Sequence, residues 1–199
     1  MSASDLPMIL GLDIATNTGA AFGRVGEAPR FSSMMFKGED TDLMGVAEAV
    51  AKAQVWMVET IRAVQPDLVV IEAPMERTPE QGTARTTIKL CGLALAVAGI
   101  AINKSRMTRF VTVRAVRRTF LGPGGGNLSG KDGKREVLRF CRAAGWEPNN
   151  DNEADAGAVW WWGGRELHPQ RAQPMDPVSL RIPPLGPAGL VVNKGRRGK

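Results

Sequence analysis

The chain has 199 residues, enough for one sizeable buried core and marginal for two. Apolar residues make up 43%, and Lys and Arg exceed Asp and Glu by 26 − 20 = +6, with a pI near 9.8. This basic balance favours a polyanionic partner. The two cysteines, Cys91 and Cys141, sit in apolar helical patterns with no metal-ligand spacing, which argues against a disulfide framework and for a reducing, cytoplasmic setting.

Residues 8–13 read as a strand, and 15–19 as a turn in which Asn17 and Gly19 tolerate unusual backbone angles. Strands over 20–25 and 30–36 complete an antiparallel meander. Asp40 or Thr41 is expected to cap a helix whose apolar residues keep helical spacing to about residue 64. Residues 68–72 are continuously apolar up to an acid, as in the centre of a covered sheet. A second helix, rich in Ala and Gly, spans 86–103. Its apolar run, 90–102, falls short of the roughly 20 residues of a membrane span, so no membrane association is expected. The first seven residues carry Asp5 and lead straight into a strand, unlike a secretory signal.

A fifth strand is expected over 110–113 and a short helical turn over 115–121. The glycines of 122–126 match no nucleotide fingerprint and read as a mobile connector. Ser129 to Asp132 fits a capping box opening a helix that stops at Gly145. Asn149 or Asn150 caps a last helix over 151–163. Its three adjacent tryptophans, Trp160, Trp161 and Trp162, cannot all face one core; one is expected to meet the tail, a partner or DNA. Residues 165–199 hold six prolines and seven Lys/Arg against two acids, with no periodicity. The expected organisation is therefore a folded domain over 1–163 and a disordered basic tail over 164–199.

Three acids stand out. Asp13 ends the first strand, Glu72 ends the 68–72 strand, and Asp155 lies within the last helix. An acid beside an apolar strand is costly to desolvate unless it is paired or holds a cation. Three of them, distant in sequence, suggest a site assembled by the fold for divalent cations.

Strand order and acid placement together resemble RuvC-type Holliday junction resolvases of the ribonuclease H-like superfamily, in particular their divergent phage-like branch. Ile9-Leu10-Gly11-Leu12-Asp13 is similar to the first motif, Val70-Ile71-Glu72 to the second, and Glu153-Ala154-Asp155-Ala156 to the last. Val116 to Gly122 resembles the segment with a basic residue near the scissile phosphate. Lys134-Arg135-Glu136-Val137 resembles the opening of the helix whose Lys supports catalysis. The resemblance covers about residues 8–162. It implies an α/β, ribonuclease H-like fold: a mixed five-stranded sheet with helices on both faces.

The chain departs from the pattern in three places. The usual partner acid three residues before Asp155 is Asn152; Asp151, four before it, is the preferred substitute, with Asn152 and Glu153 as alternatives. The basic position before the loop is Arg117, which holds phosphate but does not readily act as a base. An aromatic expected after Glu72 is replaced by Met75.

The function implied is metal-dependent cleavage of branched DNA such as a four-way junction, by a homodimer cutting two strands symmetrically. Asp13, Glu72, Asp151 and Asp155 would bind Mg²⁺, with Mn²⁺ substituting. Lys134 would neutralise charge on the phosphorane. Arg117, Arg118, Lys131, Lys134 and Met75 would contact DNA. Two rivals remain open: a non-catalytic protein that binds structured DNA, favoured by the neutral Asn152, and an actin-like phosphotransferase, for which the chain is short.

Overall fold

Three consecutive strands, β1 (Met8–Asp13), β2 (Asn17–Arg24) and β3 (Arg30–Met35), pair antiparallel. The chain then crosses through α1 (Leu43–Val64) to β4 (Leu68–Glu72), and through α2 (Ala84–Asn103) to β5 (Met107–Val111). Both late strands run parallel to β1, giving the order β3-β2-β1-β4-β5. Helices α3 (Val113–Phe120), α4 (Gly130–Ala143) and α5 (Asp151–Leu167) follow. The computed structural model describes residues 5–38, 42–74, 84–128, 130–175 and 179–180.

The sheet is covered on both faces, as expected. Leu10, Leu12, Ala20, Val69 and Ile71 pack against α1 and α2, while Ile9, Ala21, Leu68 and Val70 pack against the α3–α5 side. This follows from the period-two alternation of strand side chains. The same alternation puts Gly11 and Asp13 with Ile9, and Glu72 with Leu68 and Val70, on the α5 face.

Helix α5 lies unusually close to that face. A Cβ on Gly11 would stand 2.6 Å from Trp160 Cα and 2.7 Å from the Ala156 carbonyl oxygen, and one on Gly19 would overlap the Asn152 carbonyl. Gly19 therefore serves close approach rather than a turn: it lies within β2, opposite Asp13, and neither it nor Asn17 has a positive φ. The turn itself is held by Thr18, whose Oγ1 accepts from Ala15 N–H (3.1 Å) and donates to Ala15 C=O (2.7 Å).

Several boundaries differ from expectation. Asp42 caps α1, accepting from Met44 and Gly45 N–H; Asp40 and Thr41 lie outside the described residues. β2 begins three residues early because the Thr18 bonds tighten the turn. β5 spans Met107–Val111, since Thr112 caps α3 with its hydroxyl accepting from Ala115 N–H. Within the 122–126 segment, expected as a loose connector, Gly125 opens a 3-10 turn (Gly125–Asn127) and is buried against Leu121 and the Arg117 carbonyl, while Pro123 and Gly124 are exposed. Asn150 is the α5 cap. By length and composition α2 as a whole is apolar enough to cross a membrane, although its uninterrupted apolar run remains 90–102. Here Leu93, Ala94, Val97 and Ala101 of α2 are buried in the core beneath the sheet. Cys141 is buried and Cys91 half-buried, both as free thiols.

The expected start of the tail is also corrected. Helix α5 continues to Leu167, and Trp161 Nε1 donates to the Gln173 carbonyl (2.7 Å) while Met175 is buried. Trp160 turns the other way, donating to the Gly23 carbonyl (3.0 Å) and meeting Trp146 edge to face. Trp161 likewise meets Phe120 edge to face. One of the three tryptophans thus packs on the segment after the helix. Residues 176–178 and 181–199 lie outside the described residues.

Gly19→Ala should lower stability by about 3 kcal/mol, the upper range for overpacking against backbone that cannot move aside. Denaturant unfolding measures it, and a loss below about 0.5 kcal/mol would contradict the tight α5 docking.

Candidate active site

The three acids meet at one end of the sheet. Asp13 lies one residue beyond the Leu12–Ile71 pair, which brings it beside Glu72 on the neighbouring strand. Asp155, on the first turns of α5, faces them across the glycine contact. All three line a cleft of 400 Å³, together with Arg114, Arg117 and Lys134.

Burial and mutual repulsion dominate the electrostatics. Asp13 is 9% exposed, and burial, followed by the Asp155 charge, raises its pKa from 3.8 to about 7. Glu72 is raised well above its usual value by burial and then by Asp13. Burial also raises Asp155, against the pull of Lys134 and Arg117. Burial opposes the charge on Lys134, but Asp155 and Asp151 outweigh it, so its pKa is raised and the ammonium stays charged.

Lys134 ties the acids to α4. Its Nζ lies 3.1 Å from Asp151 Oδ2 and 3.6 Å from Asp155 Oδ2, and donates to Asn152 Oδ1 at 3.0 Å. Arg117 is almost wholly buried: Nη1 donates to the Leu128 carbonyl (3.0 Å), and Nη2 lies 3.9 Å from Asp155. Gly133 makes room for it, because a Cβ there would overlap the guanidinium. Arg117 thus orients Asp155 and fixes the loop before α4, a more internal place than the expected phosphate contact.

The remaining expected site residues divide. Asp151 is half exposed at the rim, and Asn152 rather than Asp151 lines the cleft. Glu153 faces away: it is buried, and its Oε2 accepts from Asn149 N–H (2.7 Å) and Asn149 Nδ2 (3.0 Å). Arg118 and Lys131 are exposed and do not line the cleft. Met75 lies outside the described residues. Arg114 was not anticipated, although it sits one turn before Arg117 and Arg118 on α3, at the i+3 and i+4 spacing that puts the three on one side.

The donor set fits a hard divalent cation. It consists of carboxylate oxygens plus the Asn152 amide oxygen, without thiolate or imidazole. The raised pKa values come first from burial and then from neighbouring carboxylates, and a cation beside these acids would favour their charged forms. Among the described residues no group of three or more Asp, Glu, His or Cys side chains stands in an arrangement that would hold a metal ion as it is. Asp13, Glu72 and Asp155 are the acids that line the cleft together and could hold an ion there.

The raised Asp13 pKa fixes the sign of a pH effect. The folded state holds this proton up to about pH 7, whereas the unfolded chain releases it near 3.8. The associated stability is fully present below 3.8 and lost as pH rises through about 7. Without metal, the melting temperature of wild type relative to Asp13→Asn should fall between pH 5 and pH 8. A pH-independent difference in thermal melts would contradict the burial of this acid.

No known family profile and no curated protein matches the chain. Solved structures do. The RuvC of T. thermophilus bound to a Holliday junction is similar over 84% of this chain and 99% of that one, with a TM-score of 0.64 and 14% identity. Fowlpox virus resolvase with its Holliday junction matches over 81% and 99%, with a TM-score of 0.51 and 12% identity. The yeast mitochondrial Holliday junction resolvase Ydc2 matches over 80% of each chain, with a TM-score of 0.51 and 11% identity. With its meander, two parallel crossovers and docked last helix, the chain has the fold of these RuvC-type structures.

Proposed function

We propose that the chain is a metal-dependent endonuclease of branched DNA that resolves four-way junctions. The observation that carries this reading is the convergence of Asp13, Glu72 and Asp155 in one cleft, with Lys134 and Arg114 beside them. Two solved structures of the same fold are complexes with Holliday junctions, which supports branched DNA as the ligand. The basic balance of the chain agrees with a polyanionic substrate in the cytoplasm.

Asp13, Glu72 and Asp155 would hold Mg²⁺, or Mn²⁺ in its place, with Asp151 and the Asn152 oxygen as the remaining candidates. A bound divalent ion would supply a more acidic water and charge stabilisation at the leaving oxygen. In the reaction a water oxygen adds to phosphorus and the P–O3′ bond breaks, leaving a 5′-phosphate and a protonated 3′-hydroxyl. Lys134, kept charged by Asp155 and Asp151, would stabilise the negative charge that develops on the phosphoryl oxygens. Arg114 would contact the backbone phosphate, while Arg117 acts as a positioning residue through Asp155. Arg118 and Lys131 would extend the basic surface beyond the cleft.

A homodimer would supply two such sites for paired symmetric nicks. Ile88, Leu95 and Ile102 support it: they are seven residues apart on α2, share one face, and are all more than half exposed. Leu95→Arg should convert a dimer to a monomer in analytical ultracentrifugation. An unchanged sedimentation coefficient would remove α2 as the dimer face.

The second reading is a junction binder without catalysis. The neutral Asn152 and the Lys134 ammonium bridging Asp151 and Asp155 favour it. Cleavage decides between the two. Asp13→Asn should cut Mg²⁺-dependent cleavage of a synthetic four-way junction on the order of 10³-fold or more, as for groups that act as a catalytic unit. Junction binding should survive the substitution. Wild-type protein that binds the junction but never cuts it in Mg²⁺ or Mn²⁺ would leave only the second reading.

A further inference from the structure

Beside the carboxylate cleft lies a second cavity, of 370 Å³. The two adjoin. Ile14 and Ala15 line the cleft, Thr16 lines the second cavity, and Leu90 lines both. The floor forms where Gly38 passes α1 so closely that a Cβ on it would overlap the Gly45 backbone. Lys37, Arg85, Lys89, Thr16 and Thr86 line the space.

The lining of this cavity is richer in cations than that of the cleft, where three acids meet three cations. Among its described lining residues Lys37 and Lys89 stand with one acid, Asp42, whose Oδ1 already accepts from Met44 N–H at 2.8 Å and Gly45 N–H at 3.1 Å, while Arg85 is already engaged. The backbone of Lys37 is fixed from behind, since Lys52 Nζ donates to its carbonyl at 3.0 Å. Like charges gathered around a concave space repel, and an anion with several acceptor oxygens relieves that repulsion. Lysine is well suited to a single phosphate group, and hydroxyls add hydrogen bonds without specifying sequence.

We infer that this cavity binds a backbone phosphate of the DNA strand that passes through the carboxylate cleft, at a position flanking the scissile one. The inference rests on the nuclease reading and extends it. The strand would be gripped on one side by Arg114 and Lys134 and on the other by Lys37 and Lys89, with the acids between.

The test uses full-length protein carrying Asp13→Asn so that DNA stays uncut. Binding of a labelled four-way junction is measured across a salt series, with and without Lys37→Ala and Lys89→Ala together. The double substitution should weaken binding roughly tenfold and reduce the slope of log K against log salt by about 1, as for the loss of one phosphate contact. Single neutral methylphosphonates are then walked along the strand beside the cut. One position should weaken binding by the parent protein and leave the double variant indifferent, and Lys37→Arg with Lys89→Arg should restore the effect. A merely structural role would not produce such a position-specific loss, and matched thermal melts check the fold. Equal slopes and identical methylphosphonate profiles, in a protein whose Asp13 form still cleaves junctions, would overturn this inference and leave the nuclease reading standing. A protein that neither binds nor cuts junctions would overturn both.

Discussion

Helix α5 lies against β1 and β2 at a separation that permits no side chain at position 11 or 19. The consequences run through the whole molecule. Because Gly11 admits Ala156 and Trp160, and Gly19 admits the Asn152 carbonyl, the N-terminal turns of α5 come down beside the end of β1. That places Asp155 within electrostatic reach of Asp13 and Glu72. The same docking seats Trp160 on Gly23 and turns Trp161 toward Phe120 and the Gln173 segment. A helix standing farther off would keep a hydrophobic core but lose the carboxylate cluster.

The cluster is destabilising by itself. Asp13, Glu72 and Asp155 are all held above their usual pKa by burial, and each raises the others or is raised by them. Lys134 and Arg117 supply part of the opposing charge, and they come from two further helices, α4 and α3. Gly133 is what lets the Arg117 guanidinium lie against α4. Stability is thus given up at a site whose donors suit a hard cation, the arrangement expected when charge is stored for a ligand rather than for the fold.

Much of this was legible in the sequence, for local reasons. Asp13 and Glu72 each end an apolar run, so both fall at one end of the sheet, and the Leu12–Ile71 register sets them on one face. The order of strands and helices follows from hydrophobic period and cap chemistry. What escaped was tertiary. Gly19 reads as a turn residue because nothing local distinguishes conformational freedom from close approach; only the distant Asn152 carbonyl does. Glu153 and Asp151 look alike in sequence, yet one is turned inward to Asn149 and the other sits at the rim, because the rotation of α5 is set by Gly11 and Gly19. Arg114 and Arg117 share a helix, and which one is buried depends on Gly133 in another. The segment to Met175 shows no periodicity because it is held by single contacts to Trp146 and Trp161 rather than by a repeating face.

Direct observation of metal at the cluster tests the central claim most sharply. Crystals grown with Mn²⁺ and measured at an anomalous-scattering wavelength should show an ion bounded by Asp13, Glu72 and Asp155, with the Asn152 side chain at its edge. Absence of anomalous density there at saturating Mn²⁺, or an ion bound only elsewhere, would contradict the account of this cleft as a metal-dependent centre.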